Sequence, residues 1–115
     1  MGWFAKRKPG DRVLGKRKAQ RVDLSAPVFV YGSINGEPFS EISQTLDVCI
    51  KGALLIINVR LVPEQRVLLT NLQTQQDVKC RVVRIDNHRM AAALEFLEPC
   101  PRFWRIDFAS PSTPN

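Results

Sequence analysis

Asp47-Val48-Cys49-Ile50-Lys51-Gly52-Ala53-Leu54-Leu55-Ile56-Ile57 is the stretch on which the fold turns. Asp and Gly are turn residues, and the five apolar residues that follow Gly52 have the length and the β-branched content of a buried strand. No apolar run in the chain is longer, and it falls far short of the ~20 apolar residues that span a bilayer. Working upstream, Ser33-Ile34-Asn35-Gly36 holds an Asn-Gly pair, a strong hairpin turn because both residues tolerate φ > 0. Before it, Val22, Leu24, Val28 and Val30 supply a strand pattern, which Pro27 restricts to an edge or a bulge. After it, Phe39, Ile42, Leu46 and Val48 serve a second strand, provided that a bulge resets the two-residue period.

Downstream, Val62-Pro63-Glu64 reads as a turn, and Arg66–Thr70 as a short strand with Val67 and Leu69 on one face. Asn71–Gln76 is polar and turn-like. Val78–Ile85 alternates, with Val78, Cys80 and Val82 together, and Asp86–Arg89 turns the chain into a last strand over Met90–Phe96. Short strands at regular spacing, punctuated by Gly, Pro and Asn, predict an all-β fold, a small antiparallel barrel. Phe103, Trp104, Ile106 and Phe108 make Pro99–Phe108 too apolar for a free tail, so it packs over the barrel as a short helix or an extended clamp. Residues 1–15 read as a flexible basic arm, 16–108 as the domain and 109–115 as a disordered tail.

The chain has 115 residues, one domain's worth, with 24% charged and 44% apolar residues, an ordinary globular composition. Its net charge of +6 is unevenly placed: residues 1–21 carry +7, so the rest is nearly neutral. A basic arm favours an anionic partner. Cys49, Cys80 and Cys100 are odd in number and widely spaced, with no secretory leader pattern ahead of them, which places them as reduced thiols in the cytoplasm. Met1-Gly2 lacks the Ser or Thr at position 6 that myristoylation wants; Lys6 stands there.

Two elements carry chemistry. Arg17 and Arg21, within Lys16-Arg17-Lys18-Ala19-Gln20-Arg21, form an RxxxR pair just ahead of the first strand, and Asp47-Val48-Cys49-Ile50-Lys51-Gly52 forms the loop before the apolar run. In their order and spacing, from about Lys16 to Glu98, they resemble the PilZ family, whose signature is R-x-x-x-R followed by [D/N]-x-S-x-x-G. The resemblance implies a six-stranded, split-barrel type of antiparallel barrel that binds cyclic di-GMP as a bacterial second-messenger receptor or adaptor, signalling to an effector protein. The ligand site it implies is Lys16, Arg17, Arg21, Asp47, Cys49 and Gly52. No catalytic or metal-binding residue and no cofactor beyond that ligand is implied, and the protein is expected as a monomer or homodimer.

These residue types suit a ligand with two phosphodiesters and two guanines. Arginine's planar fork takes a phosphate bidentately or pairs with guanine O6 and N7. A carboxylate such as Asp47 accepts from guanine N1–H and N2–H₂, a pairing that adenine cannot reproduce. Gly52 allows φ > 0 and close approach of backbone to ligand. Two positions depart from the usual pattern. Lys16 replaces a second Arg found in many relatives, a change that a phosphate contact survives better than a bidentate guanine contact. Cys49 replaces Ser, and a thiol is the weaker donor and acceptor. If the Ser hydroxyl contacts ligand, Cys49 loses ~1 kcal/mol of binding; if it caps the turn, the loss falls on stability.

The plainer readings are a solvated charge run for the arm, a surface His88, a core thiol at Cys80, a packed or partly exposed Cys100 between two prolines, and a core-completing Phe103-Trp104 pair. A pKa of Cys49 lowered by Lys51 and the arm would make it a redox sensor. Two further function classes stand beside the receptor: a ligand-independent interaction module, and a barrel binding nucleic acid through the +7 arm and Trp3-Phe4. An enzyme finds no nucleophile–base pair, paired carboxylates, phosphate-cradling loop or metal cluster to work with.

Overall fold

A hairpin begins the barrel. In the computed structural model, which describes residues 21–106 and 108, β2 (Pro27–Ile34) turns through Asn35-Gly36 into β3 (Glu37–Cys49). Asn35 and Gly36 take φ of 52° and 82°, so the turn has the twist of the strands it joins. A two-residue strand, β1 (Val22–Asp23), precedes β2, and β4 (Gly52–Ile56), β5 (Arg66–Asn71), β6 (Gln76–Asp86) and β7 (Ala91–Phe96) follow. All pairings are antiparallel, in the order β1-β3-β2-β5-β6-β7-β4, and β4 pairs back onto β3. Six strands, β2 to β7, therefore form a closed barrel, with β1 added to the outside of the ring at β3.

Closure depends on β3 changing partners. Its residues 37–44 pair with β2, and from Thr45 onward it pairs with β4, with the register shift between Thr45 and Asp47 that the hydrophobic period requires. A second register shift lies between Val82 and Arg84, where β6 meets β7. The interior is filled by Val28 and Val30 of β2, Val48 of β3, Ala53 and Leu55 of β4, Val67 and Leu69 of β5, Val78, Cys80 and Val82 of β6, and Ala92 and Leu94 of β7.

Phe103 and Trp104 close one end of this core, as their apolarity predicts, both buried and packed edge-to-face with ring centroids 4.8 Å apart. Phe96 meets Phe103 at 5.2 Å, and the Asn71 side-chain amide donates to the Phe103 carbonyl at 2.7 Å. The segment does this as a turn over residues 101–104; there is no helix among the described residues, so the helical alternative falls. Pro99 and Pro101 explain why: each removes an amide donor that a helix would use. No helix long and apolar enough to cross a membrane occurs among the described residues either.

Two other expectations are corrected, and a third falls outside the described residues. Pro27 does not limit β2 to an edge: β2 lies between β3 and β5, and Pro27 is tolerated because it is the first residue of the strand, where its carbonyl still accepts from Leu72 N–H. Met90 belongs to the turn, with φ of 53°, and the last strand starts at Ala91. The arm at 1–15, the tail at 109–115, and Lys16 and Arg17 lie outside the described residues.

Thr45, 1% exposed, fixes how the chain enters the barrel. Its hydroxyl accepts from Ala26 N–H at 2.9 Å and donates to the Leu24 carbonyl at 2.5 Å, holding the link between β1 and β2 against β3. Thr45→Val keeps the volume but strands both backbone groups, and is expected to cost ~1–3 kcal/mol. Urea unfolding checks this, with Thr45→Ser, which retains the hydroxyl, expected to lie much closer to wild type.

Candidate ligand-binding site

β3 and β4 are joined by a tight turn at Ile50-Lys51, with Cys49 opposite Gly52 and Asp47 opposite Leu54. Val48, between Asp47 and Cys49, enters the barrel core; Cys49 and Leu54 instead join Ala91 and Ala93 of β7 in a second buried cluster. Alternation therefore puts Asp47, Cys49, Leu54, Ala91 and Ala93 on the outer face of the β3–β4–β7 sheet. The residues at both bulges, Leu46 and Val83, pack against that cluster.

The pairing of β1 with β3 brings Asp23 opposite Asp47 and sets Arg21, two residues earlier, beside the same carboxylate. Arg21 Nη1 stands 3.8 Å from Asp47 Oδ2, a long ion pair rather than a bidentate fork. Asp47 is 8% exposed. The structure thus gathers Arg21, Asp47, Cys49 and Gly52 around one turn, from positions up to 31 residues apart in sequence.

Gly52 plays a different part from the one expected of it. Its φ is not positive; Gly36 is the glycine with positive φ among the described residues. What requires glycine is the neighbouring strand: a Cβ here would stand 2.0 Å from the Leu94 carbonyl oxygen. The Gly52 carbonyl accepts from the Trp104 indole N–H at 3.3 Å, and the Lys51 carbonyl accepts from Phe96 N–H at 2.7 Å. The end of the loop is pinned to β7 and to the C-terminal turn.

Cys49 is fully buried. Desolvation pushes its thiol up to about 11, while the backbone amides of Lys51 and Gly52 hydrogen-bond to it and pull the other way. The lowered pKa on which redox sensing would depend is therefore reversed. Those amides belong to residues i+2 and i+3, the geometry by which a Ser hydroxyl caps a turn, so the sulfur fills a turn-capping position. Burial also raises Cys80, a core thiol, and Cys100, which is partly exposed near Glu98.

Several neighbours were not foreseen. Arg81 of β6 donates to Glu95 at 2.8 and 3.1 Å and to Glu64 at 2.7 Å, which holds its guanidinium charged. Trp104 was expected in the core but not at the loop. A groove of about 390 Å³, lined in part by Lys51, Glu95, Glu98 and Cys100, runs beside the turn and not over Arg21 and Asp47. His88 is exposed in a turn, and among the described residues no three His, Cys, Asp or Glu side chains gather as a metal group.

The burial of these thiols predicts their reactivity. In the native protein at pH 8, iodoacetamide should label Cys100 first, with Cys49 and Cys80 protected until unfolding, as read by peptide mass mapping. The sign of the pH effect follows from the same shift. The Cys49 thiol ionises near 9.0 when unfolded and near 11 when folded, so its contribution is complete below pH 9 and is lost as pH rises towards 11. Urea unfolding between pH 8 and 11 should show this fall, and Cys49→Ser should make it shallower.

Comparison with known proteins agrees with this geometry. The model of the PilZ domain family matches residues 15–106. Among solved structures, the chain is similar to the PilZ domain of CeSA from a cellulose-synthesizing bacterium, at 15% identity with a TM-score of 0.54, over 70% of this chain and 83% of that one. At that identity the likeness concerns the fold. No curated protein matches the chain. The family match covers both motif elements and the whole barrel, and the chain belongs to the PilZ domain family.

Proposed function

We propose that the protein is a non-catalytic receptor for cyclic di-GMP, which it binds with Lys16, Arg17, Arg21, Asp47, Cys49 and Gly52 and whose presence it signals to an effector protein through a change of shape. PilZ domains are a family known for binding this ligand. The observation that carries the reading is the meeting of Arg21 with Asp47 beside the β3–β4 turn. One group suits a phosphate or a guanine edge and the other the guanine N1–H and N2–H₂ pair. At 3.8 Å their mutual contact is loose, so inserting a ligand between them gives up little.

Of the two roles for the signature's Ser position, the buried turn-capping place of Cys49 favours the structural one. On that reading, the substitution leaves affinity nearly intact. The three free thiols fit a cytoplasmic setting.

A second reading, a ligand-independent interaction module, has one observation in its favour. Ile42 and Tyr31 are 70% and 48% exposed, and their neighbours Phe29 and Leu68 extend the patch across β3, β2 and β5. Phe103 and Trp104, the other apolar candidates for such a surface, are buried. A partner complex that persists unchanged with and without nucleotide would favour this reading.

Calorimetry decides between them. Cyclic di-GMP should give saturable heat and cyclic di-AMP none. Arg21→Ala and Asp47→Asn should each weaken binding roughly tenfold or more, the loss of a charge-assisted hydrogen bond, without moving the thermal midpoint by more than a few degrees. Absence of heat with both wild type and Cys49→Ser would end the receptor reading.

A further inference from the structure

The outer face that carries Asp47 continues across three more strands. Asp47 is opposite Leu54 on β4, Leu54 is opposite Ala93 on β7, and Ala93 is opposite Arg84 on β6. Residues directly paired across an antiparallel ladder present side chains on the same face, so the row places a carboxylate at one end and a guanidinium at the other. The register shift between Val82 and Arg84 is what puts Arg84 there. Val82 points into the core and Val83 joins the outer cluster; the extra residue then leaves Arg84, and not Val83, opposite Ala93, while Ile85 packs back towards the core. Bulges re-aim side chains in this way beside functional surfaces.

Arg84 also differs from its basic neighbours in what holds it. Arg81 is engaged by Glu64 and Glu95, and Arg89 pairs with Asp86, the acid nearest Arg84 on its own strand. Arg84 makes no ion pair or side-chain hydrogen bond among the described residues, although it is half-buried. Three inter-strand steps of about 4.8 Å separate its backbone from that of Asp47, and the positions between, Leu54 and Ala93, carry no charge. Arg21 approaches from the β1 side and Arg84 from the β6 side. A ligand lying across β4 and β7 with two anionic groups would meet one cation at each edge.

We propose that Arg84 is a further binding residue, contacting a phosphodiester of the nucleotide on the side of the face opposite Arg21. This rests on the receptor reading above, and it assigns to β6 a contact that neither sequence element supplies. A point-charge contact to phosphate is conserved by lysine, whereas a bidentate reading of a guanine edge is not.

Titration of the full chain with cyclic di-GMP at several salt concentrations tests it, using wild type, Arg84→Ala, Arg84→Lys and, as a control on the same barrel, Arg66→Ala. Arg84→Ala should bind roughly tenfold more weakly, with a shallower dependence of log Kd on log salt. Arg84→Lys should recover most of both, and Arg66→Ala should match wild type. Wild-type affinity and salt slope in either Arg84→Ala or an Arg84→Ala/Cys49→Ser pair would overturn the assignment while leaving the receptor reading intact. If Arg84→Ala fails to fold, a guanine-edge loss in Arg84→Lys as severe as in Arg21→Ala would overturn the phosphate contact. No heat from wild type or Cys49→Ser would overturn both.

Discussion

Everything in this barrel depends on one strand serving three partners. β3 is the longest element, and over its 13 residues it must hydrogen-bond to β2, then bend, then hydrogen-bond to β4 on one side and β1 on the other. A regular strand cannot do this, because the pleat fixes which face each residue presents. The extra residue at Leu46 breaks the period, and the Thr45 hydroxyl secures the break by tying Leu24 and Ala26 to the same point. Ring closure and the approach of Arg21 to Asp47 are two results of that single bend. The candidate site is not an ornament on a finished barrel; it occupies the place where the barrel closes.

The loop is held from behind as firmly as it is displayed in front. Gly52 lets β4 pass so near β7 that no side chain fits, and its carbonyl is taken by the indole of Trp104, 52 residues later. Trp104 in turn packs on Phe103, whose carbonyl is held by buried Asn71. A chain of contacts thus connects the turn to the C-terminal segment and across to β5. Such a connection makes the turn a rigid support. It also gives any ligand-driven shift of the loop a physical route to a distant surface.

What the sequence made legible was whatever is encoded locally. Asn35-Gly36 declares a primed turn by residue type, the alternation of Val78, Cys80 and Val82 declares a face, and Phe103-Trp104 declares burial through size and apolarity. The RxxxR and Asp-to-Gly elements pointed to a candidate site because their spacing spans one hairpin, and Arg21, Asp47, Cys49 and Gly52 of them meet at one turn. What stayed hidden depends on neighbours distant in sequence. Pro27 reads as an edge residue unless one knows that its strand begins there. Gly52 reads as a flexible turn glycine until Leu94 is placed against it. The buried state of Cys49 follows from Leu54, Ala91 and Ala93 arriving on the same outer face, and the shift at Val83 follows from matching β6 to β7. Neither has a composition signal of its own.

The two bulges show how a nearly neutral body would support the proposed anion site. Leu46 and Val83 both pack onto the cluster of Cys49, Leu54, Ala91 and Ala93, so the two irregular strands are anchored on a common apolar patch between them. Small side chains make that patch low, and the residues next to each bulge, Asp47 and Arg84, are directed to its two sides. Charge is therefore concentrated at the margins of a face whose centre has none. A ligand binding there as proposed would order long side chains at the edges but not the backbone beneath them, which would keep the entropic cost of recognition small. On the receptor reading, selectivity would depend on the spacing that β4 and β7 impose between the two margins, a distance fixed by the ladder rather than by the side chains themselves.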